Sequence, residues 1–311
     1  MTHLTAGTKT DDMNIREPSG SLFLCPKRDK GGYVSENWIV QNMYRALQIW
    51  NGKLTELWEI LSLPPQEFRD GAVWRVMLDV NGAMQAVGYA LLVLFFLTGV
   101  LKTCGSVAEL KRPEHAVKLF VRFAAAKAAV TYGMEIMVSL MDIVQGMISG
   151  IMRSAGFGAV QDVMLPQEIV TAVEGCGFLE SVPLWAVTLI GGLLVWVLSF
   201  TMILNVYGRF FRVYLYTAVA PVPLSAFAGE PTRAVGISFL KSFAAVCLEG
   251  AVTVLGCVIF SVFAATPPAV DSTLAPAAMV WSYFGELIFN MLILVGTVRM
   301  SDRVVREMMG L

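Results

Sequence analysis

Four acids lie inside otherwise apolar runs: Glu135, Asp142, Glu249 and Glu286. An ionisable side chain in such a run is costly unless it meets a counter-ion, water or a proton path, so each is a functional candidate. On a helix, Lys127, Thr131, Glu135, Asp142, Gln145 and Ser149 fall within one narrow arc. Beside that arc lies Gly146-xxx-Gly150, a small-xxx-small pattern that lets a second helix approach. Ser238, Ser242, Glu249, Thr253 and Gly256 share another helical face, and Ser282, Glu286, Asn290 and Thr297 a third. The chemistry on offer is ion pairing, an aqueous lining or proton carriage. Two main readings stand. The stripes meet inside one chain and satisfy one another, for instance Lys127 with Glu135. Alternatively, they face a water-filled path or a subunit interface.

Other chemistries lack their residues. The chain has two histidines and five cysteines, with no CxxC or zinc-like spacing. Cys247 and Cys257 fall inside an apolar run and read as packing. No P-loop, HExxH or GxSxG motif is present. We expect no enzyme activity, no catalytic residues, no cofactor and no metal. A net charge of −1 says nothing for or against a polyanionic partner.

The elements that position these residues are membrane helices. Of 311 residues, 56% are hydrophobic and 15% charged, and the mean hydropathy is +0.64. The apolar residues come in long runs, which predicts an all-α polytopic membrane protein. Residues 1–34 read as a disordered polar tail, with no cleavable signal peptide expected. Residues 35–80 read as an extracytoplasmic amphipathic helical region, capped by Ser35, with a break at Gly52 as one option and an end at Leu63-Pro64-Pro65. Residues 81–311 form the membrane domain. Spans are expected at about 83–101, 128–152, 182–207, 242–266 and 274–298. The run Ser181–Gly208 holds no charge, and Trp185, Trp196 and Tyr207 suit its interfaces.

The stretch 213–228 is shorter than a bilayer core requires and carries Pro221 and Pro223. Basic residues flank it on both sides: Arg209 and Arg212 before, Arg233 and Lys241 after. Both flanks belong in the cytoplasm. The stretch therefore reads as a re-entrant loop after a basic turn, the alternative being a short kinked sixth span. With five full crossings the N-terminus lies outside and the C-terminus in the cytoplasm.

The segments GRFFRVYLYTAVAPVPLSAFAGEP (208–231), SFLKSFAAVCLEGAV and MSDRVVREMMG carry a family resemblance. The chain resembles the TrbL-type (VirB-six-type) polytopic inner-membrane subunits of type IV secretion and conjugation systems. It is most similar to versions from integrative conjugative elements of Gram-positive anaerobes. The likeness runs from about Trp38 to Leu311. It implies a channel or scaffold subunit that forms a homo-oligomeric ring in the lipid bilayer. The ring would contact cytoplasmic ATPases and other secretion subunits, and help relaxase-bound single-stranded DNA across the cytoplasmic membrane. The family has no catalytic residues to transfer. The alternatives are a non-conducting scaffold ring of the same machine and a small-solute secondary transporter.

Overall fold

The structure, a computed structural model, describes residues 37–103, 113–154, 163–264 and 274–311. Every regular element among the described residues is helical. Five helices are long and apolar enough to cross a membrane. The chain is an all-α polytopic membrane protein. The polar tail expected at 1–34 lies outside the described residues.

Helix α1 (Trp38–Ser62) begins where the Asn37 side chain accepts from the Ile39 N–H at 3.0 Å. The N-cap is thus Asn37, two residues beyond Ser35, and the helix runs unbroken through Gly52. It stops at Leu63, ahead of two prolines that cannot continue the ladder. Its buried face (Ile39, Met43, Leu47, Trp50, Leu54, Leu57, Leu61) repeats every three to four residues. A 3-10 turn, Phe68–Gly71, follows, in which Arg69, Asp70 and Gly71 take φ of 50°, 56° and 67°. Left-handed backbone is unfavourable for Arg69 and Asp70. Phe68 anchors that turn, with its ring 5.0 Å from Phe210 and 5.7 Å from Tyr207.

Helix α2 spans Ala72–Thr103. The span expected at 128–152 falls across two helices, α3 (Pro113–Thr131) and α4 (Gly133–Ser154). The break at Tyr132 sits where a Cβ on Gly133 would come 2.5 Å from Leu224 Cδ1. The candidate span there is accordingly Gly133–Ser154, so Lys127 belongs to the preceding helix. After α5 (Gln167–Glu174) comes α6 (Phe178–Val219), which is 42 residues long. Arg209 and Arg212, read from the sequence as a basic turn, lie on this continuous helix. The physical reason is local: no proline interrupts the chain between Pro183 and Pro221.

A five-residue helix, α7 (Pro221–Ser225), and a 3-10 turn, Ala226–Ala228, precede α8 (Arg233–Phe263). Helix α9 (Pro276–Met309) runs eleven residues past the expected span end at Val298 and closes on Gly310 in left-handed conformation, φ 65°. The basic segment Arg299–Arg306 is therefore helical. Helix α9 runs parallel to α6, with Phe284 against Gly191 at one level and Asp302 against Arg212 at another. Helix α8 runs antiparallel to both, with Gly256 against Thr297 and Glu249 against Arg212.

Candidate functional site: a glycine cradle, an arginine clamp and an outward polar arc

The stretch 213–228 forms no span of its own. Val213–Val219 completes α6, and Ala220 keeps helical angles, φ −49° and ψ −41°. Pro221 takes the first position of α7, where a missing N–H goes unnoticed. Glycines on three neighbouring helices admit the bend. A Cβ on Gly88 of α2 would lie 2.8 Å from the Pro221 carbonyl oxygen, and one on Gly99 would lie 3.1 Å from Gly229 Cα. A Cβ on Gly236 of α8 would lie 2.9 Å from the Phe227 ring, and Gly133 of α4 receives Leu224 in the same way. Thr232 Oγ1 closes the loop by donating to the Ala226 carbonyl at 2.7 Å. Arg122 of α3 reaches Glu230 at 3.2 Å. Pro221, Leu224, Ser225, Ala226 and Ala228 are buried and Pro223 is half-buried. Residues 220–232 form a packed wedge, exposed only at Glu230 and Pro231.

Arg212 sits between two acids. Its Nη2 donates to both Glu249 oxygens at 2.7 and 2.8 Å, and its Nη1 donates to Asp302 at 2.6 Å. Arg306 returns to Asp302 from one turn later, at 3.0 Å. Charge-assisted bonds of this kind are the strong ones. Glu249, Thr253 and Gly256 are buried, so this part of the α8 stripe points inward, while Ser242 is half-buried and Ser238 exposed. Arg209 is also buried, with its guanidinium 4.9 Å from the Phe210 ring centroid, within cation–π range. Its Nε has no hydrogen-bond partner. A Cβ on Gly250 would overlap that guanidinium, so the glycine next to Glu249 makes the room.

The arc on α3 and α4 points the other way. Met137, Met141, Val144 and Ile148 take the buried face of α4. Lys127, Glu135, Asp142 and Gly146 are left exposed, and Gly150 is half-buried. Among the described residues, Lys127 and Glu135 form no ion pair. Asp142 accepts from Gln66 at 3.2 Å, and Gln145 donates to the Ser62 carbonyl at 2.6 Å, so this arc meets the end of α1. Among the described residues, no atom beyond the helix's own backbone lies within 4 Å of a Cβ placed on Gly146 or Gly150. On α9 the stripe divides. Thr297 packs on Gly256, Asn290 is half-buried, and Glu286 is exposed among Trp281 and Phe289.

Sequence reasoning missed Asp302 as the second acid on Arg212, the glycines of the cradle, and two bracing amides. Asn81 donates to the Thr217 carbonyl at 2.7 Å, and Asn51 both donates to and accepts from Val163. An amide within a helical apolar pattern was the available signal.

A bundle of long apolar helices with an internal ionic clamp and a polar arc left outward defines a multi-pass membrane protein. The chain matches the family described as TrbL/VirB6 plasmid conjugal transfer like protein over residues 51–221, more than half its length. It belongs to that family and is a membrane component of conjugal transfer, a structural part of the transfer system. The match ends at Pro221, so α8 and α9, which supply Glu249 and Asp302, lie beyond it. No curated protein and no solved structure matches the chain.

Proposed function

We propose that this protein is a ring-forming subunit of a type IV secretion machine that helps move relaxase-bound single-stranded DNA across the cytoplasmic membrane. The observation that carries it is the outward placement of Lys127, Glu135 and Asp142 on and beside a candidate span. An acid facing lipid near mid-bilayer costs roughly 2.5–3.5 kcal/mol or more. Cover by further copies or by water removes that cost. The open edge at Gly146 and Gly150 supports close approach by a second helix. Other secretion subunits, including cytoplasmic ATPases, would meet the basic ends at Arg233, Lys241 and Arg299–Arg306. Those ends support a cytoplasmic C-terminus and an outside N-terminus. The kinship to integrative conjugative elements of Gram-positive anaerobes rests on the residues named for the resemblance.

A specific observation favours a second reading, the non-conducting scaffold ring. Among the polar-stripe residues, the outward acids Glu135, Asp142 and Glu286 outnumber the outward base Lys127, and symmetric acid rings repel a phosphate backbone. Formaldehyde capture of transferring DNA separates the two. Transferring strand on this subunit supports conduction. Its absence, with rings assembled and mating intact, supports the scaffold. A deletion that spares mating and alters solute uptake would overturn both in favour of a transporter.

A further inference from the structure

Helix α1 lies beside the uncharged run of α6 from one end to the other, in parallel. The Trp38 ring is 6.1 Å from that of Trp185, and a Cβ on Gly192 would stand 3.8 Å from that of Ala46. Tyr207 donates to Glu56 at 3.1 Å. Trp185 to Tyr207 is about 33 Å of helix, the depth of a hydrocarbon core of about 30 Å. Helix α1 matches that depth, yet it is not among the five helices that hydropathy marks as spans.

Its outward face explains why. Arg45, Gln48, Gly52, Thr55, Glu59 and Ser62 are all exposed, at spacings of three and four residues. They form a polar stripe, edged by the exposed Tyr44 and Ile49. At the same depth the outward residues of α6 are Leu189, Ile190, Leu193, Val197, Phe200 and Leu204, a face suited to lipid. A second feature lies on the α1 side. Val163–Pro166 is outside any helix. It is held there by Asn51, which donates to the Val163 carbonyl at 3.2 Å and accepts from its N–H at 3.1 Å. Asn51 lies between Ala46 and Glu56, so this backbone falls within the depth of the α6 run. Non-helical backbone survives there only when buried in protein or lining water.

We infer that α1 crosses the bilayer beside α6, and that its outward stripe, with Val163–Pro166, faces water as one wall of an aqueous path. Helix α1 then replaces α2 as the first of five crossings, so the termini stay on opposite sides: α2 begins beside Tyr214 and reaches Gly229 with Gly99, beyond the Tyr207 end of the α6 run. The inference rests on placing Ser181–Gly208 in the bilayer and needs no assumption about cargo. The stripe reaches Ser62, where Gln145 of α4 takes up the polar surface and carries it toward Asp142 and Glu135.

The test uses single cysteines in the full chain, with the native cysteines replaced by serine. Gln48→Cys, Thr55→Cys and Arg45→Cys report the stripe, and Leu193→Cys and Val197→Cys report the lipid face. A small charged methanethiosulfonate reagent applied to cells should modify the stripe positions at least tenfold faster than positions 193 and 197. Trp38→Cys and Glu67→Cys should react with an impermeant maleimide from opposite sides of the membrane. Labelling of both ends from one side overturns the crossing, and stripe positions as inert as 193 and 197 overturn the water face. Neither readout depends on captured DNA, so this inference and the transfer reading fail separately.

Discussion

Arg212 holds Glu249 through one nitrogen that reaches both carboxylate oxygens, at 2.7 and 2.8 Å, across the contact between α6 and α8. The same guanidinium reaches Asp302 on α9 with its other terminal nitrogen. One cation thus ties together three helices that are far apart in the chain.

Removing that cation leaves Glu249 buried without a partner. Arg212→Leu is expected to cost roughly 3 kcal/mol, the low end for a broken buried pair because Arg212 keeps some solvent contact. The double change Arg212→Leu with Glu249→Leu should recover much of the loss, since no unpaired charge remains. Thermal melting of detergent-purified protein measures both. A double variant as damaged as the sum of the singles would mean the two residues are uncoupled.

Gly250 is needed for the room it leaves. Gly250→Ala drives a methyl into the Arg209 guanidinium and should lower the melting temperature and ring yield. Gly285→Ala, with open space around it, should be neutral or stabilising by up to about 1 kcal/mol through helix propensity. Matching behaviour of the two would show that the Arg209 pocket yields easily.

The wedge at 220–232 depends on its cradle more than on its prolines. Gly88→Val should displace Pro221 and raise the reactivity of a cysteine placed at Ser225, which is fully buried. Pro221→Ala with Pro223→Ala should leave that cysteine protected, because Pro221 occupies a position where helices accept proline. Protection in the glycine variant, or reactivity in the proline variant, reverses the assignment.

The orientation is open to direct labelling. Glu230→Cys should react with an impermeant maleimide only from the cytoplasm, and Glu174→Cys only from outside, both residues being exposed. External reaction at position 230 would turn the wedge region into a crossing. In mating assays, Glu249→Leu should reduce transfer more than Val252→Leu, which lies off the α8 stripe.

Local pattern carried much of the fold. Runs without charge set the number of long apolar helices, and the spacing of Met137, Met141, Val144 and Ile148 set one apolar side of α4 opposite its polar arc. An apolar face is a property of a segment's own composition and period, so it can be read one helix at a time. Helix ends were less legible. Arg209, Arg212 and Arg299–Arg306 mark charge, and charge ends an apolar run without ending a helix.

By itself the sequence determined that this is an all-helical membrane protein with polar stripes on three helices and a proline-bearing stretch too short to span. Only the tertiary structure decided where each stripe points. The α8 stripe turns in at Glu249 because Arg212 and Asp302 stand opposite it, residues 37 and more positions away that no local period connects. The α4 stripe turns out because its apolar side already has a partner. A stripe's angle on its own helix is a local quantity, but whether it meets protein, lipid or water depends on what distant segments bring to that side.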